Sequence, residues 1–197
     1  MKLPKLQWQI FAAYSGIILL LLVGLQFYLH PNLRRSLLDQ KLQILEREID
    51  LLAWIMQERF PGPVPEAVAP RIVGEYGRRL QLRVTLIDPT GKVLADSELD
   101  PAALSRVENH RNRPEIVESL RSGLGSSIRF SDTIKTSMIY AAKPLQRNGV
   151  FQGWLRLAVP LTDVDRTLAS IRRILVSASL AGLFLALATS LAVSRWL

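Results

Sequence analysis

The stretch that decides the fold is Val84-Thr85-Leu86-Ile87-Asp88-Pro89-Thr90-Gly91-Lys92-Val93-Leu94-Ala95-Asp96. Apolar and polar side chains alternate over residues 82–87, which is typical of a half-buried β-strand. The next four residues place proline and glycine where a tight turn favours them. Residues 92–96 then predict a returning strand. The stretch therefore predicts the first hairpin of an antiparallel sheet.

Three more strands and two helices are predicted around this hairpin. The helices are expected at residues 66–80, after the proline-rich loop 61–65, and at residues 111–122, where Gly123 ends the helix. The strands are expected at residues 126–131, 137–145 and 150–159, and Asn148-Gly149 is a strong hairpin signal between the last two. Together these elements predict an α+β fold, a five-stranded antiparallel sheet with helices around it.

A long helix is predicted before the sheet, in the segment 30–60. Pro31 is expected to break it locally, because proline removes a backbone donor and clashes with the preceding turn. Apolar residues then recur at intervals of four and three, which is typical of a coiled-coil seam: Leu38, Leu42, Leu45, Ile49, Leu52 and Met56. A second apolar stripe lies on an adjacent face: Leu37, Ile44, Leu51 and Ile55. We interpret the first set as the seam of a homodimer; the alternative is one wide face buried within a monomer.

Two uncharged apolar segments of twenty residues predict transmembrane helices at 10–29 and 174–193. About twenty apolar residues are needed to cross a bilayer core of roughly 30 Å. Trp8, Tyr28 and Trp196 flank them, as interfacial aromatic residues do. The alternatives are a cleaved signal peptide for the first segment, which is longer than usual for that role, and a buried core helix for the second.

The transmembrane prediction divides the chain into further segments. Residues 1–9 are expected to be cytoplasmic, 61–161 to form the extracytoplasmic domain, and 162–173 to be an exit helix that runs unbroken into the second span. Residues 194–197 are read as the start of a missing cytoplasmic part. Basic residues lie at both ends of the spans, so charge alone does not fix the orientation. We place the domain outside because long loops translocate largely regardless of charge.

Composition excludes several classes of function. The chain has no cysteine and only two histidines, which excludes disulfides and thiolate chemistry and disfavours a histidine metal site. The net charge is +8, yet no basic run with interleaved aromatic residues is present, so nucleic acid is not an expected partner. No phosphate-binding loop or nucleophile motif is found, and no catalytic residue is assigned.

Several segments resemble one family of receptors. Residues 84–97 resemble the first hairpin of extracytoplasmic PAS-like, or single Cache-like, sensor domains. The following segments, 108–116, 125–133, 138–145 and 157–161, are similar to sensor histidine kinases of the phosphate-regulon type. The resemblance covers about residues 82–173 together with the two-span layout.

The resemblance implies the sensory input region of a two-component histidine kinase in the bacterial inner membrane. Such a protein detects an extracytoplasmic stimulus, here phosphate limitation, and transmits it through the second span. It also implies a missing cytoplasmic part that binds ATP and Mg²⁺ and passes phosphate to a response regulator. This chain itself is expected to need no cofactor. The alternatives are a chemotaxis or cyclic-dinucleotide receptor, or a membrane scaffold that binds a transporter or another receptor.

Candidate ligand-binding residues cluster near the start of the helix predicted at 111–122. Polar and basic groups at a helix start can hold an anion on free backbone N–H groups. The candidates are Asn109, His110, Arg111 and Arg113, with Arg129, Tyr140 and Lys143 expected to face the same concavity from the strands. The alternative is structural: an asparagine caps the helix, His110 bonds to a loop and the arginines lie over the sheet.

Overall fold

The computed structural model describes residues 3–131 and 135–196, and it contains five helices and five strands in that part of the chain. The helices are α1 (Leu3–Arg59), α2 (Ala69–Leu80), α3 (Pro101–Leu104), α4 (Pro114–Ser122) and α5 (Thr162–Trp196). The strands are β1 (Arg83–Ile87), β2 (Val93–Asp96), β3 (Gly125–Ser131), β4 (Thr136–Arg147) and β5 (Val150–Pro160).

The strands form one antiparallel sheet in the order β2-β1-β5-β4-β3. The predicted α+β fold with a five-stranded antiparallel sheet and a long N-terminal helix is therefore confirmed. The chain divides into two compact units, residues 39–162, which contain the sheet, and residues 1–38 with 163–197. The short helix α3 was not predicted, and α4 begins at Pro114, three residues later than expected.

One face of the sheet packs against the C-terminal part of α1. Residues alternate along β5, so Leu155 and Leu157 point to this face, and both are fully buried. The α1 residues that are buried with them are Leu45, Ile49, Leu52, Ala53 and Met56. An ion pair of 2.6 Å between Lys143 Nζ of β4 and Asp50 Oδ1 joins the helix to the sheet.

This packing corrects the predicted dimer seam. Leu45, Ile49, Leu52 and Met56 are at most 2 % exposed in the single chain, so they are not available to a second subunit. The heptad-like spacing instead reflects a helix lying on its own sheet, which needs the same apolar stripe. Leu38 and Leu42 are half-buried.

The second apolar stripe of α1 points outward. Ile44 and Leu51 are exposed and Leu37 and Ile55 are half-buried, while Trp54 extends the exposed surface. Helix α1 thus has the two predicted apolar faces, and the one predicted as the dimer seam is the buried one.

The first helix continues through Pro31, so the predicted break is wrong. Proline removes one hydrogen bond of a helix, yet transmembrane helices tolerate it when neighbouring groups satisfy the freed carbonyls. The carbonyl that loses its partner is that of Phe27, four residues before Pro31. The next carbonyl, that of Tyr28, accepts a hydrogen bond from the side-chain amide of Asn32 at 2.8 Å.

Two helices are long and apolar enough to cross a membrane within the described residues. They lie in Ser15–Arg59 of α1 and Thr162–Thr189 of α5. Strand β5 ends at Pro160 and α5 begins at Thr162, so the sheet passes almost directly into the second candidate span. The Leu161 N–H donates to the Ser137 carbonyl at 2.9 Å, which fixes the start of α5 to strand β4.

Candidate functional site

The second face of the sheet holds a group of charged side chains, which we call the charge cluster. Six of its members come from all five strands and the seventh from α4. They are Arg83 and Thr85 of β1, Asp96 of β2, Arg129 of β3, Tyr140 of β4, Arg156 of β5 and Glu115 of α4.

The sheet register brings these side chains to one face. Thr85 pairs with both Asp96 and Arg156 across the strands, and Tyr140 pairs with Ala158, two residues along β5 from Arg156. Since side chains two residues apart share a face, these residues point to the side opposite α1. Helix α4 packs over this face against β3 and β4.

Asp96 organises the half of the cluster near β1. Arg83 Nε donates to both carboxylate oxygens of Asp96, at 2.9 and 3.1 Å. The Thr85 hydroxyl donates to Asp96 Oδ2 at 2.7 Å and accepts from Arg156 Nη2 at 3.1 Å. The Asp96 and Arg83 side chains are 1 % and 5 % exposed, so this ion pair is removed from water.

Glu115 organises the other half. Its carboxylate accepts from the Ser127 hydroxyl at 2.6 Å and from Arg129 Nη2 at 3.0 Å. Arg156 Nη1 lies 3.5 Å from Glu115 Oε1 and Arg156 Nη2 lies 3.8 Å from Asp96 Oδ2. Arg156 therefore stands between the two buried carboxylates and links both halves of the cluster.

Helix α4 approaches β3 closely enough to seat Glu115. A Cβ atom at Gly125 would collide with the Glu115 carbonyl and the Ser119 backbone nitrogen. Only a glycine allows this contact, and the first residue of β3 supplies it. The Glu115 side chain thus reaches Ser127 and Arg129 on the same strand.

The protonation states follow from this arrangement. Burial alone raises the pKa of Glu115, but the hydrogen bonds from Arg129 and Ser127 and the charges of Arg129 and Arg156 outweigh it and lower the pKa below its ordinary value. Burial lowers the pKa of Arg156 to about 10, against the raising effect of Glu115 and Asp96. Both groups therefore stay charged at neutral pH.

Two guanidinium groups also lie over the ring of Tyr140. The central carbon of Arg129 is 4.0 Å from the ring centroid and that of Arg156 is 5.0 Å from it. Such cation–π contacts stabilise a cation that has lost part of its water shell. Tyr140 thus helps to keep both arginines at the same place.

Several donors at this face lack an acceptor. Among the described residues, the buried side-chain atoms without a hydrogen-bond partner include Arg129 Nε, Arg156 Nε and Trp154 Nε1. The side chains of Arg156 and Trp154 are almost completely buried. Unpaired buried donors cost free energy and are uncommon, so a group that accepts hydrogen bonds would be stabilised here.

The cluster also has an uncompensated charge. Three guanidinium groups, those of Arg83, Arg129 and Arg156, face the two carboxylates of Asp96 and Glu115. One positive charge therefore remains. Arg129 is 22 % exposed at its side chain, and it is the member through which the cluster meets solvent.

Three of the predicted ligand-site residues converge at this face: His110, Arg129 and Tyr140. His110 is buried, and its Nδ1 is 2.8 Å from the Glu108 carbonyl while its backbone N–H donates to Gly91. Burial, followed by the positive charge of Arg156, lowers the pKa of His110 to about 4. The imidazole is therefore neutral at neutral pH and does not add to the positive charge.

The other predicted residues have structural partners. Asn109 Oδ1 accepts a hydrogen bond from the Arg111 N–H at 2.8 Å, and Asn109 Nδ2 donates to the Thr90 carbonyl. Asn109 therefore closes a loop and does not cap a helix. Arg113 is the N-cap residue of α4, makes no side-chain cap bond and pairs with Glu108 at 3.1 Å. Arg111 is exposed.

Lys143 lies on the face toward α1, where it pairs with Asp50. The expectation that it shares a concavity with Arg129 and Tyr140 is therefore wrong. Alternation along β4 already separates the two positions, because Tyr140 and Lys143 differ by an odd number of residues.

Sequence reasoning missed five members of the cluster: Arg83, Thr85, Asp96, Glu115 and Arg156. A signal was present for two of them. Arg83 and Arg156 occupy one side of strands whose other positions are apolar, and an arginine on a buried strand face requires an acidic partner. The partner itself depends on strand order, which the sequence did not give. No group of three or more possible metal ligands was found among the residues that the structure describes.

The family match agrees with this architecture. The single Cache-like family matches residues 38–160, and the chain belongs to that family. No significant match was found among curated proteins.

Solved structures with the same fold are sensory domains of receptors. The ligand-binding domain of Campylobacter jejuni chemoreceptor Tlp3 in complex with L-valine has a TM-score of 0.56 at 17% identity, covering 79% of this chain and 66% of that one. The sensor domain of the Vibrio cholerae histidine kinase DctB has a TM-score of 0.53 at 17% identity, covering 78% and 60%. The ligand-binding domain of Pseudomonas aeruginosa PAO1 chemoreceptor PctC in complex with GABA has a TM-score of 0.51 at 16% identity, covering 70% and 63%.

At these identities the likeness concerns the fold. The chain spans less than two thirds of the length of each of these three domains. The class of protein is thus a single Cache-like domain flanked by two candidate transmembrane helices.

Proposed function

We propose that this chain is the sensory input region of a membrane-bound two-component histidine kinase, located in the bacterial inner membrane with its Cache-like domain outside. The observation that carries the proposal is the position of the charge cluster on β5. Arg156 lies in the centre of that strand, and α5 starts two residues after the strand ends. A change at the cluster has a short, continuous path to the second candidate span.

The cluster favours a small ligand with one negative charge and several acceptor atoms. Its surplus positive charge and the unpaired donors Arg129 Nε, Arg156 Nε and Trp154 Nε1 support this choice. Hydrogen bonds from guanidinium groups to carboxylate or phosphate are among the stronger polar contacts in proteins. A carboxylate or dihydrogen phosphate both meet the requirement.

Glu115 gives the proposed site a resting state. Its carboxylate already accepts from Arg129 and stands near Arg156, so an external anion has to compete with it. Because Glu115 belongs to α4, displacing its side chain loosens α4 from β3. Ligand binding is thereby linked to a movement of α4. Both changes alter the contacts of Arg156 and so act on β5.

The specific stimulus that we propose is phosphate limitation. Support comes from the sequence resemblance to the phosphate-regulon kinases and from the anion-accepting chemistry of the cluster. The partners that follow are a response regulator and, on the outer side, a phosphate transporter or its regulator.

A binding experiment with the full chain in detergent tests the ligand site. Isothermal titration with inorganic phosphate, with succinate and with amino acids should find one anion that binds. Arg129→Gln should weaken that binding by at least tenfold, since a charged hydrogen bond is lost from the site. Arg121→Gln is the control, because Arg121 is an exposed residue of α4 outside the cluster. This variant should leave the affinity unchanged. Equal affinities for both variants would contradict the assigned site.

A chemoreceptor is the second candidate. The observation in its favour is that two of the three solved neighbours above are chemoreceptor domains in complex with L-valine and with GABA. An amino acid also presents a carboxylate to arginine, so the charge cluster does not separate the two functions. Preferential binding of an amino acid in the titration would favour this alternative.

We also propose that the protein is a homodimer. The outward stripe of α1 supplies the surface: Ile44, Leu51 and Trp54 are 46, 54 and 61 % exposed and follow each other at spacings of seven and three. Such spacing places them on one side of a helix. Paired copies of α1 would cover this apolar stripe.

A further inference from the structure

Two cavities lie between α1 and α5 within the unit formed by residues 1–38 and 163–197. The first has a volume of about 520 Å³, and its polar lining residues are Gln26, His30 and Arg172. The second has a volume of about 300 Å³ and an almost wholly apolar lining. Gln26 and Leu175 border both cavities, so the two are adjacent, and we call them together the interhelix groove.

One end of the interhelix groove is strongly basic. Arg172 lines it, and three more exposed arginines lie within a turn or so of its polar lining: Arg34, Arg35 and Arg173. Residues 1–38 contain no acidic residue, and residues 163–197 contain only Asp163 and Asp165. Asp39 follows Arg35 by four residues on α1, so the chain balances only part of the positive charge at this end.

The rest of the groove is apolar and long. It extends along α1 from His30 to Ser15, a distance of roughly 22 Å at 1.5 Å per helical residue. One leaflet of a bilayer has a hydrocarbon depth of about 15 Å, half of the core. An acyl chain of one leaflet therefore fits along the groove.

From these three features we infer that the interhelix groove binds an anionic phospholipid. The phosphate lies at the basic end, near His30 and Arg172, and one acyl chain follows the apolar side chains toward Ser15. Arginine is well suited to phosphate because its planar donors match the phosphate oxygens. Basic pockets between transmembrane helices on the cytoplasmic side are known sites for anionic headgroups, and the same chemistry applies at the outer ends of these spans, where this basic end lies in the proposed orientation.

Charge favours the lipid over a second copy of the chain. A second copy seated in the groove itself would bring its own four arginines directly against these, where like charges repel, whereas the proposed dimer contact through Ile44, Leu51 and Trp54 leaves the groove open. The phosphate of a lipid instead brings a negative charge to these arginines. The small residues Ala178, Gly182 and Ala186 deeper in the groove suit close helix packing, so a second copy is the rival that the experiment has to exclude.

The inference rests on the proposal that α1 and α5 span a membrane, but not on the proposed sensory role. The test is reconstitution of the full chain in nanodiscs that contain equal amounts of dioleoyl phosphatidylglycerol and dioleoyl phosphatidylcholine. Native mass spectrometry after gentle release then counts the lipids that remain bound. We expect the wild-type chain to retain phosphatidylglycerol in preference to phosphatidylcholine.

Two matched pairs of variants locate the site. Arg172→Gln removes a lining arginine and should lower phosphatidylglycerol retention roughly fivefold, while Arg173→Gln removes a neighbour outside the lining and should have a smaller effect. Leu175→Trp fills the groove and should abolish the preference. Ile174→Trp, at an exposed position that does not line the groove, should preserve it.

Each contrary outcome has a distinct meaning. Failure of the wild-type chain to enter nanodiscs would overturn the membrane proposal together with this one. Entry without any preference for phosphatidylglycerol would overturn the lipid site alone. If Leu175→Trp lowers the dimer fraction and leaves lipid retention intact, the occupant is a second copy and the inference is wrong.

Discussion

Glu115 is the residue on which the proposed site depends most. It is fully buried and holds two guanidinium groups and the Ser127 hydroxyl. The sequence predicts a helix here but not the role of Glu115, because α4 contains two glutamates. Only the close contact between α4 and Gly125 determines that Glu115 is the one buried in the charge cluster. By contrast, Arg129 and Tyr140 were predicted from strand alternation alone. The local pattern thus predicted the two strand residues, but it did not predict the carboxylate partner that α4 contributes.

The first prediction concerns Glu115→Gln. The variant leaves three guanidinium groups with one carboxylate, and breaking a buried ion pair by removing one partner costs about 3 kcal/mol. Thermal unfolding of the full chain in detergent should show a clear loss of stability. Glu108→Gln is the matched control, because Glu108 also pairs with an arginine but is 84 % exposed at its side chain. That exposed pair should contribute well below 1 kcal/mol. Equal losses in both variants would contradict the assignment of the buried pair.

The second prediction concerns pH. The folded state lowers the pKa of His110 from 6.5 to about 4. As the pH falls, His110 therefore becomes protonated in the unfolded chain before it does so in the folded one. Stability should therefore decrease from pH 6.5 down to about 4, by about 3 kcal/mol at most. Glu115 acts in the same direction at the acid end, because its folded pKa also lies below the ordinary value.

His110→Gln tests this origin of the pH dependence. The variant removes the titrating imidazole, so the decrease between pH 6.5 and 5 should become much shallower in denaturation experiments. His30→Gln removes the other histidine, which lies outside the domain, and should leave the slope as it is. An unchanged slope in His110→Gln would exclude His110 as the cause.

Helix α4 is the element whose position matters most for the site. Gly125→Ala places a methyl group against the backbone of α4 at Glu115 and Ser119, so α4 has to shift. Overpacking of this kind costs about 1–3 kcal/mol, and the shift should also weaken anion binding.

Gly123→Ala is the control: Gly123 has φ +81° but nothing within 4 Å of a Cβ. It should cost about 1 kcal/mol and leave binding unchanged. Unaltered binding in Gly125→Ala would show that α4 does not form part of the site.

Helix α1 carries one apolar stripe that packs on the sheet and a second that is exposed. One variant in each stripe distinguishes their contributions to stability and to dimerisation. Ile49→Ala cuts into the buried stripe and should destabilise the domain by about 3 kcal/mol. Leu51→Glu alters the exposed stripe, so it should leave thermal stability nearly unchanged and shift the dimer toward monomer in light scattering. If Leu51→Glu leaves the dimer intact, the outward stripe is not the interface.

The same helix shows where sequence reasoning reaches its limit. Heptad spacing identifies an apolar stripe but not what covers it, since a sheet and a second helix require the same pattern. The strands were predicted within one or two residues because their signals are local, while the bounds of the two spans remain a prediction. The break at Pro31 was wrong because local rules do not say whether neighbouring groups compensate a proline.

At the scale of the whole molecule, the account joins three parts: an anion-accepting cluster, the strand that carries Arg156, and the helix that begins at Thr162. The positions of the cluster, the strand and the helix are observed, while anion binding and the coupling to the helix are proposals. No glycine or proline interrupts residues 161–181. We therefore propose that α5 transmits a shift at its start along its length. Movements of about 1–2 Å are typical for such helix shifts.

The most direct test of this coupling is the activity of residues 1–197 fused to the cytoplasmic part of a histidine kinase, measured as autophosphorylation in membranes. Glu115→Gln, which releases the arginines, should change the activity about fivefold or more, as expected for a typical coupling free energy. Glu108→Gln should leave it unchanged, and adding Arg166→Gly with Thr167→Gly at the start of α5 should abolish the effect of Glu115→Gln. Identical activity in the wild type and Glu115→Gln fusions, with both folded, would contradict the claim that this cluster controls the second span.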